Sequence, residues 1–472
     1  MEIIKVKDHT YLYEPKTRFI SLVPNYFVEN SDQKSDYIRY NRKLQYFKDN
    51  GLITQDFEES KPIGYLKIGD IEIALHNTHQ LVFEVTDKCN LNCYYCSYGT
   101  LYSNHDMREN KDMPFEYFTT VYNFFRKRWN SNWKKGFTTL YISFYGGEPL
   151  CNFHFIQKAV EYTKLHPING KHIRFSMTTN GVLLNRYMEF LKENNFDILI
   201  SIDGNSRNHS YRKFRSGSNS FNEVVGNIRL LKETYPKYFK SKVKFNSVLH
   251  DHNSIKEIDD YIFSNFGKHP TVSELNPFGI DENQYDNFLT IFKSKEKSFK
   301  ELSQREQELY GQHSPQIRNF TKWIFLNLMT TYSTNISHII KEESNSENII
   351  ERTELPTKTC IPFERKMYIS VNGKIFPCER IGHKMNFGQI LNGKLEINFE
   401  GIVKYYNSAF KKYHKLCGKC IKKDFCSVCI TGDQQISNSC NDRELKELRE
   451  LIEYFSCYPK NLMTIIKKVS IV

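Results

Sequence analysis

The chain has no apolar run approaching the roughly 20 residues needed to cross a bilayer. Its opening stretch, MEIIKVKDHTYLYE, lacks the short apolar segment of a secretory signal. It also has no dense basic tract. The formal net charge is +12, but the 66 Lys and Arg are dispersed, and local bias is short, for example Lys411, Lys412 and Lys415. No nucleic-acid reading module accompanies that charge, so an acidic peptide fits it better than nucleic acid does. There is no internal repeat of solenoid period. These absences leave a soluble globular protein, expected in the cytoplasm, with neither nucleic acid nor membrane as a partner. In that reducing compartment the 12 cysteines read as metal ligands rather than disulfides.

At 472 residues the chain is too long for one ordinary core, and two or three domains are expected. The cysteines supply the best map. None occurs before Cys89; three lie at 89–96, one at Cys151, and eight between Cys360 and Cys457. This divides the sequence into an N-terminal module (1–78), a central domain (79–310), a polar helical linker (311–358) and a cysteine-dense C-terminal domain (359–472). In the first module KTRFISLVP reads as a strand, YNRKLQYFKDNGLI as a helix, and GYLKIGDIEIAL as a hairpin turning at Gly69-Asp70. A helix followed by a small hairpin suits a winged-helix-like module, although a simple cap on the central domain would read the same way.

From residue 81 to about 250, strands alternate with amphipathic helices. LVFEVT, TLYISFYGG, IRFSMTTNG, DILISIDG and KVKFNSVL read as strands. FEYFTTVYNFFRKRW, FIQKAVEYTKLH, YMEFLKENN and FNEVVGNIRLLKET read as helices. The alternation predicts an α/β fold of parallel βαβ units, whose ligands gather at the carboxyl ends of the strands. Each conspicuous motif stands at such an end: the cysteine loop, GGEP, TTNG and SIDG. Residues 281–350 read as helical and polar, most clearly over ENQYDNFLTIFKSKEKSFKELSQREQELYG.

Cys89, Cys93 and Cys96 form C-x3-C-x2-C directly after LVFEVT. Soft thiolates suit iron–sulfur clusters and zinc. Three ligands on one loop can hold three corners of a cubane and leave the fourth iron open. A structural zinc site needs a fourth ligand, and none stands nearer than His105. A Cys93–Cys96 redox pair would not need Cys89.

CNLNCYYC, with GGEP at Gly146–Pro149 about fifty residues later, resembles the radical S-adenosylmethionine (SAM) superfamily. The resemblance implies a partial (β/α)6 TIM-like barrel, a [4Fe–4S] cluster on Cys89, Cys93 and Cys96, and SAM on its open iron. It places Gly146, Gly147 and Glu148 against the amino group of the methionine moiety and Tyr95 against the adenine. Thr179 and Asn180 would face the same pocket. Ser201 and Arg212 would contact the cofactor, although the His-Asp pair that often precedes that arginine is here His209-Ser210. Cys151 reads as a small apolar residue.

Cys417, Cys420, Cys426 and Cys429 form a compact run, with Cys360, Cys378, Cys440 and Cys457 around it. Eight thiolates suffice for two cubanes or for structural zincs. With GKIFPC at Gly373–Cys378, the layout resembles the SPASM extension of radical peptide maturases. That resemblance assigns Cys360, Cys378 and Cys429 to a first auxiliary cluster, closed by Cys457 or left open. It assigns Cys417, Cys420, Cys426 and Cys440 to a second. Residues 1–78 resemble the leader-recognition modules of peptide maturases. The implied activity is thioether or carbon–carbon crosslinking of a ribosomally made precursor peptide with a leader segment, with flavodoxin or ferredoxin as electron donor. The alternatives are formylglycine formation in sulfatases and a non-catalytic electron carrier.

Overall fold

The computed structural model describes residues 2–6, 8–14, 19–23, 34–50, 65–130, 139–310, 360–383, 385, 387–417, 449–450 and 452–453. Cys420, Cys426, Cys429, Cys440, Cys457 and the linker 311–358 lie outside them. The chain divides into two compact units. One comprises 67–303 and 360–405, the other 1–66, 304–359 and 406–472.

The larger unit is built on one eight-stranded sheet. Its strands are β4 (Gln80–Thr86), β5 (Thr139–Gly146), β6 (His172–Thr179), β7 (Asp197–Ser201), β8 (Val243–Leu249), β9 (Thr271–Glu274), β10 (Lys366–Ile369) and β11 (Ile375–Phe376). The spatial order is β11-β10-β4-β5-β6-β7-β8-β9. β4 to β9 are parallel throughout, and β10 adds to β4 in parallel before turning back into β11. The six-stranded parallel run is the partial barrel expected from the sequence. A short hairpin, Gly388–Leu391 with Lys394–Ile397, completes the unit's β structure among the described residues.

Residues paired in parallel strands share a face, and the register sorts this sheet into two. Leu81, Ile142 and Met367 fall on one face, as do Phe83, Phe144 and Ile369. All six are buried. The helix Phe115–Asn130 covers part of this face with Phe118, Val121, Tyr122, Phe125 and Trp129, a stripe at helical spacing. The Phe83 and Phe118 rings lie 4.9 Å apart. Burying one such side chain contributes about 1.5–3 kcal/mol.

The opposite face is polar. Gln80 donates to Ser143 Oγ (2.8 Å), which shares a 2.7 Å hydrogen bond with Ser176 Oγ. Arg174 pairs with Asp197 at 2.6 Å, and Ser273 donates to Asn246. Strands of a parallel sheet covered on both sides usually read as unbroken apolar runs. Here polar residues recur along the inner face among Val82, Leu199 and Val248, so it is not an ordinary core.

Local chemistry sets the helix ends. Ser254 Oγ accepts from Glu257 N–H, and Gly267 takes a left-handed φ of 68° after Phe266. The segment read from sequence as a hairpin at Gly69-Asp70 is instead a helix, Ile68–Asn77. The Asp70 carboxylate accepts from Lys67 N–H at 2.8 Å, capping its first turn. Ile71, Ala74 and Leu75 bury one stripe. The i, i+3, i+4 spacing outweighs the local turn signal. The polar stretch from 282 is broken into short helices, Tyr285–Ile291, Lys295–Lys300 and Gln304–Leu309.

The smaller unit opens with an antiparallel meander of β1 (Glu2–Val6), β2 (His9–Glu14) and β3 (Phe19–Val23), followed by the helix Lys34–Asp49. Ile4, Val6 and Tyr13 form its buried cluster, with Tyr11 and Ile452 packed against it.

Candidate cluster and cofactor site

The cysteine loop leaves β4 at Thr86 and is fixed at both ends. The Asp87 carboxylate accepts from the backbone N–H of Glu109 and Lys111, at 2.7 and 2.6 Å. Asn92 N–H donates to Lys213 O and Tyr94 N–H to Tyr211 O, tying the middle of the loop to the segment beyond β7. The three thiols are half-buried. Burial pushes Cys89 up to about 11 and Cys93 up to about 12, so both bare thiols hold their protons at neutral pH.

The donors around the sulfurs suit thiolates. Arg108 Nη2 lies 3.3 Å from Cys96 Sγ, Leu91 N–H 3.5 Å from Cys89 Sγ, and Asn180 Nδ2 3.8 Å from Cys89 Sγ. Burial opposes the Arg108 charge, but the Cys96 and Cys89 sulfurs outweigh it and its pKa rises. Arg108 Nε and Asn90 Nδ2 are buried with no protein partner. Among the described residues, the only three potential ligand groups gathered within 4.8 Å are His250, Asp251 and His252. The three cysteines therefore do not close around a single ion, as zinc would require at about 2.3 Å per sulfur. Separated thiols with hydrogen-bond donors at their sulfurs fit a cubane with one corner free.

GGEP packs against the start of this loop. Gly147 N–H donates to Thr86 O and Glu148 N–H to Lys88 O, at 2.9 and 2.8 Å. A Cβ on Gly147 would stand 2.2 Å from Lys88 O, and one on Gly146 (φ 140°) 2.2 Å from Thr86 O. Only glycine permits this approach. The Glu148 side chain turns into the protein. It accepts from Leu150 N–H, Thr179 Oγ1 and Asn180 N–H, at 3.1, 2.8 and 2.7 Å. Three of its roughly four acceptor positions are thus occupied. Burial still lifts its pKa to about 7, against the lowering by those donors. Glu148 therefore staples the end of β5 to the end of β6. Asn180 continues the chain, donating from Nδ2 to Asn90 Oδ1 at 2.7 Å.

The end of β7 supplies a second network. Asp203 is fully buried and receives Arg212 through two hydrogen bonds, at 2.9 and 3.2 Å, as well as Val248 N–H and the Tyr95 hydroxyl. Burial alone would raise the Asp203 carboxyl, but the Arg212 charge outweighs it and holds the group below the usual carboxylate range. The Arg212 guanidinium lies 5.4 Å from the Tyr95 ring centre, and His250 stacks on that ring at 5.7 Å. His250 Nδ1 accepts from His252 N–H, which gives this His/Asp/His trio an internal structural role. Ser201 is buried at the same strand end, with no side-chain hydrogen bond among the described residues. His209, buried and pushed down to about 3, bonds Ser220 and is structural.

Tyr95, Gly146, Gly147, Glu148, Thr179, Asn180, Ser201 and Arg212 thus gather with the cysteine loop at the carboxyl ends of β4 to β7. Sequence reasoning did not find Asp203 as the hub of Tyr95 and Arg212, nor Arg108, Asn90 and Asp87 as the loop's anchors. Their only sequence signal was position near a strand end. Cys360 is exposed and Cys378 half-buried after β11. The backbone of Cys417 closes the helix Phe399–Cys417.

This arrangement defines an α/β partial-barrel protein with three half-buried thiols and a polar network at the carboxyl ends of its strands. Residues 83–263 match the family model of the Radical SAM superfamily. It is 28% identical over 289 residues to the radical SAM cyclopropyl synthase TigE of Paramaledivibacter caminithermalis, covering 58% of this chain and 55% of that protein. It is 25% identical over 394 residues to a cysteine-type anaerobic sulfatase-maturating enzyme of Clostridium perfringens, covering 79% of this chain and 95% of the relative. The chain spans about half the length of several of the curated relatives it matches. The solved structure of native anSMEcpe with bound AdoMet and Cp18Cys peptide shares the fold, with a TM-score of 0.53 and 19% identity over 82% of this chain and 98% of that one. No helix among the described residues is long and apolar enough to cross a membrane.

Proposed function

We propose that this protein is a radical SAM maturase that modifies a ribosomally made precursor peptide, with crosslinking as the outcome. Cys89, Cys93 and Cys96 would hold the [4Fe–4S] cluster, with SAM on the free corner. Once bound, this pair supplies a 5′-deoxyadenosyl radical by one-electron cleavage of the sulfonium, and that radical abstracts a substrate hydrogen. The chain's own residues orient and enclose the reactants. Gly146 and Gly147 let the backbone approach closely, Ser201 offers an uncommitted hydroxyl, and the Asp203–Arg212–Tyr95 network fixes the adenine side. Cys360, Cys378 and Cys429 would serve a first auxiliary cluster, closed by Cys457 or left open to substrate, and Cys417, Cys420, Cys426 and Cys440 a second. A precursor leader would bind the N-terminal module, and flavodoxin or ferredoxin would supply the electron.

The observation that carries this reading is the set of three separated thiols beside GGEP and Asn180, with hydrogen-bond donors already aimed at the sulfurs. A second reading, sulfatase maturation, is favoured by the relative matched over 95% of its length. Mass spectrometry of anaerobic reactions separates the two. Loss of two hydrogens from a precursor peptide without loss of sulfur supports crosslinking. An aldehyde replacing a cysteine thiol in a sulfatase-derived peptide supports the second reading and overturns the first.

A further inference from the structure

Arg108, Arg212 and Arg215 all adjoin the cysteine loop, and their charges are placed differently. Arg212 grips the Asp203 carboxylate with Nε and Nη2, at 2.9 and 3.2 Å, so its charge is matched. Arg215 is exposed and donates from Nε to the backbone oxygen of Cys89 at 3.2 Å. Arg108 is half-buried and is the one charged group hydrogen-bonded to a sulfur of the three loop cysteines, with Nη2 3.3 Å from Cys96 Sγ. No carboxylate among the described residues lies within ion-pair distance of it. Its Nε shares one edge of the guanidinium fork with Nη2 and is buried with no protein partner. Arg212 uses that same edge to hold a carboxylate. Two contacts fix Arg108 in place. The guanidinium lies 4.8 Å from the Tyr98 ring centre, and the Tyr98 hydroxyl is 3.0 Å from that of Tyr368. The Asp87 carboxylate holds the backbone of the next residue, Glu109, at 2.7 Å.

We propose that Arg108 is a positioning residue for electron entry: its fixed positive charge, hydrogen-bonded to the Cys96 sulfur, makes the strand-end cluster easier to reduce. This rests on the reading of Cys89, Cys93 and Cys96 as cluster ligands. Reduction adds one electron, and so one negative charge, to the group the three sulfurs hold. That electron leaves the flavodoxin or ferredoxin donor, which is oxidised as the cluster is reduced. Arg108 keeps its protons, and no covalent bond forms or breaks at it. A guanidinium at a ligand sulfur favours the more negative state, because hydrogen bonds to sulfur and local net charge both set a cluster's potential. Partial burial preserves the effect, since water and salt screen such a charge less than an exposed one. Arg212 cannot take over this role, because Asp203 neutralises it.

A redox titration of the anaerobically reconstituted holoenzyme, monitored by electron paramagnetic resonance, tests this. It follows the reduced-cluster signal that changes when SAM is added, which separates this cluster from any auxiliary ones. In Arg108→Gln the midpoint should fall by about 59 mV, a tenfold loss in the one-electron reduction equilibrium. Arg108→Lys keeps the charge but not the fork, and its midpoint should fall between the two. Iron per chain should match wild type in both variants. An Arg108→Gln midpoint at or above that of wild type overturns the proposal and leaves the cluster reading intact. An Arg108→Lys midpoint as low as that of Arg108→Gln also overturns it. If Arg108→Gln holds no iron at this site, Arg108→Lys decides: a lowered midpoint supports the proposal and an unchanged one overturns it. If the wild type shows no SAM-sensitive signal, the cluster reading itself fails and the proposal fails with it.

Discussion

The two faces of the parallel sheet come from the same strands and do different work. On the outer face Leu81, Phe83, Ile142 and Phe144 are buried against helices, and their contribution is packing. On the inner face Gln80, Ser143 and Ser176 bond in series, Arg174 pairs with Asp197, and Glu84 accepts from Val371 N–H. The motifs sit where the inner face ends. Stability therefore resides on one side of each strand and chemistry on the other, one residue apart.

That division can be broken experimentally. The largest effect is expected at the strand-end thiols. Replacing Cys89, Cys93 and Cys96 together by Ala should remove about four irons and four sulfides per chain, measured by metal and sulfide analysis. The unfolding midpoint of the metal-free protein should stay close to that of metal-free wild type. The opposite signature is expected on the outer face. Phe118→Ala should cost about 3–5 kcal/mol in denaturant unfolding, while the protein that remains folded keeps its full complement of iron.

Between these extremes lies pH. Glu84 and Glu148 both have carboxyls lifted by burial from 4.5 to about 7. A group whose folded pKa exceeds its unfolded one keeps its proton longer when folded. Its stabilising contribution is full below about 4.5 and is lost as pH rises through 7, of the order of 3 kcal/mol for each group. Thermal unfolding of the metal-free protein should shift downward from about pH 5 to about pH 8, and Glu84→Gln should flatten that slope. A midpoint rising over this interval would contradict the burial of these two carboxyls. The smallest expected effect is local. Gly147→Ala forces a Cβ against Lys88 O and should weaken SAM binding to the reconstituted protein about tenfold, or about 1.4 kcal/mol. Equilibrium binding measures it.

Much of the division was legible in the sequence. The β4 to β8 strands were legible from strand-like runs alternating with amphipathic helices, and the cysteine spacing, open to zinc or a redox pair alone, pointed to a cluster once GGEP stood beside it. The hairpin expected at Gly69-Asp70 was misjudged because a dipeptide turn signal competed with the longer Ile71, Ala74, Leu75 stripe. The Asp203 hub could not be read at all. Its partners Tyr95 and Arg212 stand 108 and 9 residues away, and only the parallel order of β4 and β7 brings them together. Glu84 was hidden differently. In LVFEVT it is one polar residue at an alternating position, and nothing local reveals that Val371 N–H, 287 residues on, donates to it.

The account stands or falls on whether the strand-end site starts radical chemistry. Anaerobically reconstituted wild-type protein, given SAM and a strong reductant, should form 5′-deoxyadenosine, quantified by chromatography with mass detection. The Cys89/Cys93/Cys96→Ala protein should form none. Absence of 5′-deoxyadenosine from fully reconstituted wild type, or equal amounts from the variant, would contradict it.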